Sequence, residues 1–80
     1  MKERRGKPRH RIFKAGTIVL NRVSVISCTV RNLSSTGACL RVESPLGIPE
    51  AFDLRIDSDN LTRHCRVEWR TFHHIGVAFT

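Results

Sequence analysis

Apolar and polar side chains alternate with a period of two through most of the chain after residue 14, the pattern of half-buried strands. Residues 51–57 show it most clearly: Phe52, Leu54 and Ile56 fall on one face, Asp53, Arg55 and Asp57 on the other. Residues 61–69 repeat it. Leu61, Cys65, Val67 and Trp69 share a side, against Thr62, His64, Arg66 and Glu68, and Arg63 alone breaks the parity, as a residue at a barrel rim does. Between these two strands, residues 58–60 (Ser-Asp-Asn) have the composition of a hairpin turn.

Upstream, residues 14–20 and 23–31 read as strands joined at Asn21-Arg22, with Ile26, Cys28 and Val30 inward in the second. Residues 37–43 follow, with Ala38, Leu40 and Val42 inward, and residues 75–79 close the set with Ile75, Val77 and Phe79 inward. No helical stripe of comparable length competes. Six short strands at hairpin spacing predict an all-β fold, a small six-stranded antiparallel β-barrel, in which closure removes edges that invite aggregation. The rhythm breaks at residues 44–50, where Pro45, Gly47 and Pro49 exclude a central strand. Leu46 and Ile48 are expected to plug one end of the barrel. Trp69 shares parity with Cys65 and Val67 and is expected in the core.

Charge divides the chain. Residues 1–14 carry Lys2, Arg4, Arg5, Lys7, Arg9, Arg11 and Lys14 against Glu3 alone, whereas the remainder is nearly balanced within a formal net charge of +7. The expected organisation is a basic N-terminal arm over residues 1–11 and a barrel over residues 12–80. Such an arm attracts a polyanion. Eighty residues hold one domain with a thin core and little room for an enzyme cleft. No serine, histidine and acid fall at a spacing that argues for a catalytic triad, so no enzyme is expected. Cys28, Cys39 and Cys65 are odd in number and form no C-x-x-C pair, which argues against a disulfide framework and for a reduced, cytoplasmic setting. Neither metal-ligand spacing nor an apolar run long enough to span a membrane is present, and no cofactor is expected.

Two motifs carry the chemistry. Arg5 and Arg9 form an R-x-x-x-R in which Gly6 and Pro8 disfavour helix, so the arm can wrap as an extended strap. Asn32, Ser34 and Gly37 form an N-x-S-x-x-G between two strands. The guanidinium fork chelates a phosphate or the O6/N7 edge of guanine. Asn32 and Ser34 supply neutral donors and acceptors for a base edge, and Gly37 permits a positive-φ turn or close approach of a ligand. A guanine nucleotide would use both halves.

In this pairing the sequence resembles the PilZ domains, bacterial cyclic di-GMP receptors whose signature is R-x-x-x-R followed by [DN]-x-S-x-x-G. Arg9 and Asn32 are 23 positions apart, inside the family's usual window. Residues 65–69 (Cys-Arg-Val-Glu-Trp) and 75–79 (Ile-Gly-Val-Ala-Phe) are similar to the family's last two strands, so the likeness covers nearly the whole chain. It implies a PilZ-like split barrel. It implies that Arg5 and Arg9 bind the phosphates and guanine edges of cyclic di-GMP, and that Asn32, Ser34 and Gly37 form the floor beneath a guanine. It links Arg4 to a second, intercalated ligand molecule. The resulting expectation is a receptor that orders its arm on the ligand and signals to a downstream protein. The alternative is a basic β-barrel for RNA or single-stranded DNA, which would stack bases on exposed aromatics. With no tyrosine, and with Phe52, Trp69 and Phe79 assigned to the core, only Phe13 and Phe72 remain for that role.

Overall fold

A computed structural model describes the backbone of residues 10–80 and the side chains from Ile12 onward. Arg4, Arg5 and Arg9 lie outside the described residues. Six strands follow one another: β1 (His10–Val19), β2 (Val25–Leu33), β3 (Gly37–Arg41), β4 (Ala51–Ile56), β5 (Leu61–Arg70) and β6 (His74–Phe79). They close a barrel in the order β1-β2-β3-β6-β5-β4, with every neighbouring pair antiparallel. Among the described residues there is no α-helix, and no helix long and apolar enough to cross a membrane.

The period-two pattern fills the interior as its alternation predicts. Ile18, Val30, Leu40, Leu54, Ile56, Cys65 and Ile75 are sealed from solvent, one or two from each strand. Turn chemistry is local and matches the residues. The Asn21 side chain accepts from the N–H groups of Val23 and Ser24 at 2.9 and 3.0 Å, bending the chain from β1 into β2. Between β4 and β5 a 3-10 turn, Asp57–Asp59, ends on Asn60 at φ 52°, a left-handed conformation that asparagine tolerates. Both Asp59 carboxylate oxygens take Lys14 Nζ, at 2.9 and 2.8 Å, which ties this turn to β1.

Three expectations need correction. β1 starts at His10, upstream of the alternating segment, because pairing of His10 and Arg11 with Leu33 and Asn32 holds it there without an apolar face of its own. In the loop after β3, Ile48 is buried but Leu46 is 85% exposed. A turn closed by Ile48 N–H on the Pro45 carbonyl (3.2 Å) sends Ile48 into the barrel and leaves Leu46 at its apex. Arg70 Nη1 latches that turn, donating to the carbonyls of Pro45 (3.3 Å) and Ile48 (2.8 Å). Trp69 is 47% exposed rather than in the core. The β5–β6 register runs Val67↔Val77 and then Trp69↔Gly76, so one extra residue, Glu68, bulges. A one-residue slip turns every later side chain to the opposite face. The parity misfit Arg63 is half-buried, with its guanidinium 4.2 Å from the centroid of the Phe79 ring.

Candidate functional site

The β2–β3 turn is built by Ser34. Its N–H donates to the Gly37 carbonyl at 2.9 Å, and its hydroxyl oxygen accepts from the N–H groups of Thr36 (3.2 Å) and Gly37 (3.3 Å). Thr36 in turn accepts from Phe79 N–H at 2.8 Å, which staples the turn to β6. Gly37 does not adopt positive φ; the described residues that do are Gly47 and Asn60. What requires glycine is β6, because a Cβ at position 37 would collide with the Val77 carbonyl. The close approach is therefore that of a neighbouring strand.

Asn32 lies within β2, paired to Arg11 on one side and to Cys39 on the other. Its Oδ1 is buried and has no hydrogen-bond partner among the described residues. A buried carbonyl oxygen is nearly always satisfied in a folded protein, so this one calls for a donor beyond the described residues.

The register places Asn32 in a row that crosses five strands. Arg11 of β1, Asn32 of β2, Cys39 of β3, Gly76 of β6 and Trp69 of β5 are successive ladder partners. Gly76 is the position that opens this row. A Cβ there would overlap the Trp69 indole, so the missing side chain lets the ring lie flat across β6. The resulting groove is lined by Thr36 and Gly37 on one side and by Glu68, Trp69, Gly76 and Ala78 on the other. An indole face and the turn of the N-x-S-x-x-G motif thus share one shallow groove. On the other flank a second bulge, between Val30 and Asn32, leaves Arg31 outside the ladder, where its guanidinium covers the Phe13 ring at 4.8 Å.

Asn32, Ser34 and Gly37 are thereby brought together, with Ser34 and Gly37 shaping the turn and Asn32 holding a buried acceptor that has no partner among the described residues. Arg4, Arg5 and Arg9 fall on residues that are not described. The point from which the arm departs is described: His10 pairs with Leu33, the residue before Ser34. Reasoning from the sequence missed Trp69. Its available signal was Gly76 on the last strand, a residue without a side chain where a neighbouring aromatic can lie.

The closed barrel thus carries a shallow groove on its outer wall, outside the core. The family model of the PilZ domain matches residues 3–80, nearly the whole chain, and the chain belongs to that family. PilZ domains are, as a family, cyclic di-GMP receptors, binding and adaptor domains rather than enzymes. No curated protein matches the chain.

Proposed function

We propose that this PilZ domain is a non-enzymatic receptor for cyclic di-GMP that takes the ligand on the outer wall of the barrel, along the row from Asn32 to Trp69. The observation that carries the reading is the buried Oδ1 of Asn32, which has no partner among the described residues and lies in the same ladder row as Gly76 and Trp69 of the groove. A guanine N–H or an arginine of the arm supplies the missing donor. Trp69 offers a face for base stacking, a contact typically worth about 1–3 kcal/mol per base. Arg5 and Arg9 chelate phosphate and the guanine edge from the arm, which enters beside Ser34. The ligand then orders the arm against the barrel, and the altered surface is what a downstream protein reads.

Arg4 sets the stoichiometry. In an extended arm successive side chains point to opposite sides, so Arg5 faces the first ligand while Arg4 reaches a second, intercalated one. Titration calorimetry with cyclic di-GMP is expected to give two ligands per chain for the parent and one for Arg4→Leu, with linear GMP far weaker. Equal affinity for linear GMP would overturn the receptor reading. A parent ratio of one, or an Arg4→Leu ratio still at two, would overturn the role of Arg4.

A further inference from the structure

At the end of the barrel opposite the His10–Leu33 pair, β2 runs on past its neighbour. The β2–β3 ladder reaches only to Thr29, opposite Arg41, the last residue of β3. Over residues 25–28, β2 is paired to β1 alone. The donation from Leu20 N–H to the Ser24 carbonyl (2.9 Å) sets the alternation there. Ser24, Ile26 and Cys28 turn their backbone groups toward β1, and Val25 and Ser27 turn theirs away, toward no strand among the described residues.

Beyond Arg41 the chain leaves β2 and follows β6 instead. Val42 N–H donates to the His73 carbonyl at 2.8 Å, and His73 Nδ1 donates to the Glu43 carbonyl at 3.1 Å. A cleft opens between Ile26, Ser27 and Cys28 on one wall and Arg41, Glu43 and His73 on the other. Val25, the residue before Ile26 on β2, is 56% exposed. Arg41 and Glu43, two residues apart and both exposed, make no ion pair among the described residues.

A free strand edge is a template for another strand. We propose that this cleft receives an extended segment of a partner protein, added to β2 as an antiparallel strand. Such a guest runs in the direction of β3, so it passes Arg41 before Glu43. Charge complementarity then orders its side chains: a carboxylate toward Arg41, an apolar residue facing into the cleft over Ile26 and Cys28, and a cation toward Glu43. A second copy of this chain fits less well, because its own β2 edge would bring Val25, Ser27 and Thr29, none of them charged, to Arg41 and Glu43. The inference rests on the barrel alone and stands whether or not the nucleotide binds.

Two capped heptapeptides, TVEVKVT and TVKVEVT, test it by amide NMR on the full chain. The first is expected to shift and protect the Val25 and Ser27 amides and to bind at least fivefold more tightly than the second. Ser27→Pro, which removes one free edge donor, is expected to abolish that binding. The exposed pair Arg41→Glu/Glu43→Arg keeps the edge and is expected to reverse the preference between the peptides, which guards against a proline variant that fails to fold. Silence of the Val25 and Ser27 amides with both peptides, or equal affinity for the two, would overturn the proposal. So would protection of those amides without peptide in a sample that sediments as a dimer, since the occupant would then be a second copy.

Discussion

At Asn32 stability and the proposed ligand binding meet in a single atom. Its Oδ1 is buried without a donor among the described residues, and such a group costs roughly 1–3 kcal/mol of desolvation when nothing replaces water. If the ligand binds as proposed, removing this oxygen relieves the empty barrel and deprives the ligand of an acceptor. Asn32→Ala is therefore expected to melt at or above the parent temperature while losing tenfold or more in cyclic di-GMP affinity. Asn32→Asp, which keeps an acceptor and is allowed by the family pattern, is expected to retain binding. Thermal denaturation and calorimetry on the same three proteins check both halves. A destabilised Asn32→Ala that binds normally would mean the oxygen has a structural partner.

The cysteines titrate with the fold. Burial pushes the Cys28 thiol up to about 12 and the Cys65 thiol up to about 11. Both are acids whose folded pKa lies above the value of 9.0 expected for an unperturbed thiol. In the unfolded chain they lose their protons first as pH rises, so the unfolded state binds fewer protons than the folded one. Stability falls with increasing pH in that window. Denaturant midpoints are expected to be flat through neutral pH and to decline above pH 9, and Cys28→Ala/Cys65→Ala is expected to flatten the decline. A decline of equal slope in that variant would assign it to other groups.

At the scale of elements, two glycines hold the site for different reasons, and both trace to the pairing of β6. A Cβ at position 37 meets the Val77 backbone, which cannot swing aside, whereas one at position 76 meets only the Trp69 ring. Gly37→Ala is expected to destabilise the barrel at the upper end of overpacking costs, about 3 kcal/mol. Gly76→Ala is expected to cost less, to displace the indole and to weaken ligand binding. Chemical denaturation of the pair gives the order; an equally unstable Gly76→Ala would show that the ring is wedged rather than resting.

The same elements show what was legible in the sequence. All six strands were visible because alternation is local and each strand has one buried face. The turns at Asn21, Asn60 and Ser34 were visible because their side chains bond their own neighbourhood. Trp69 was not. Its side of the sheet is decided by the bulge at Glu68, a property of how β5 meets β6 that parity along β5 alone does not contain. Leu46 was misplaced for a related reason, since a tight turn admits only one of two closely spaced apolar residues to the interior. The motif Asn32–Gly37 was readable as a turn with a candidate site beside it, but the split of labour within it came from packing. Ser34 builds the turn, Gly37 accommodates β6, and the Asn32 Oδ1 is buried with no partner among the described residues.

For the whole molecule, the decisive contrast is between a specific anion receptor and a general polyanion binder. The formal charge of +7 is concentrated in the first fourteen residues, and that arrangement by itself serves either partner. Exposed aromatics favour neither, because Trp69 and Phe13 lie outside the core and both can stack on a base. Salt separates the readings. Binding of poly-U RNA through arm phosphate contacts loses affinity steeply with ionic strength, whereas a ligand held also by Asn32 and the indole loses less. Calorimetry at two salt concentrations is expected to leave cyclic di-GMP bound where RNA has dissociated.

The most direct test uses the only tryptophan in a chain without tyrosine, so that the emission reports on the groove alone. If cyclic di-GMP binds along the row from Asn32 to Trp69, its addition quenches and shifts Trp69 emission, saturates at the calorimetric ratio, and fails to do so in Asn32→Ala and Arg9→Ala. Calorimetric binding that leaves Trp69 emission unchanged would place the ligand elsewhere on the barrel and contradict the account.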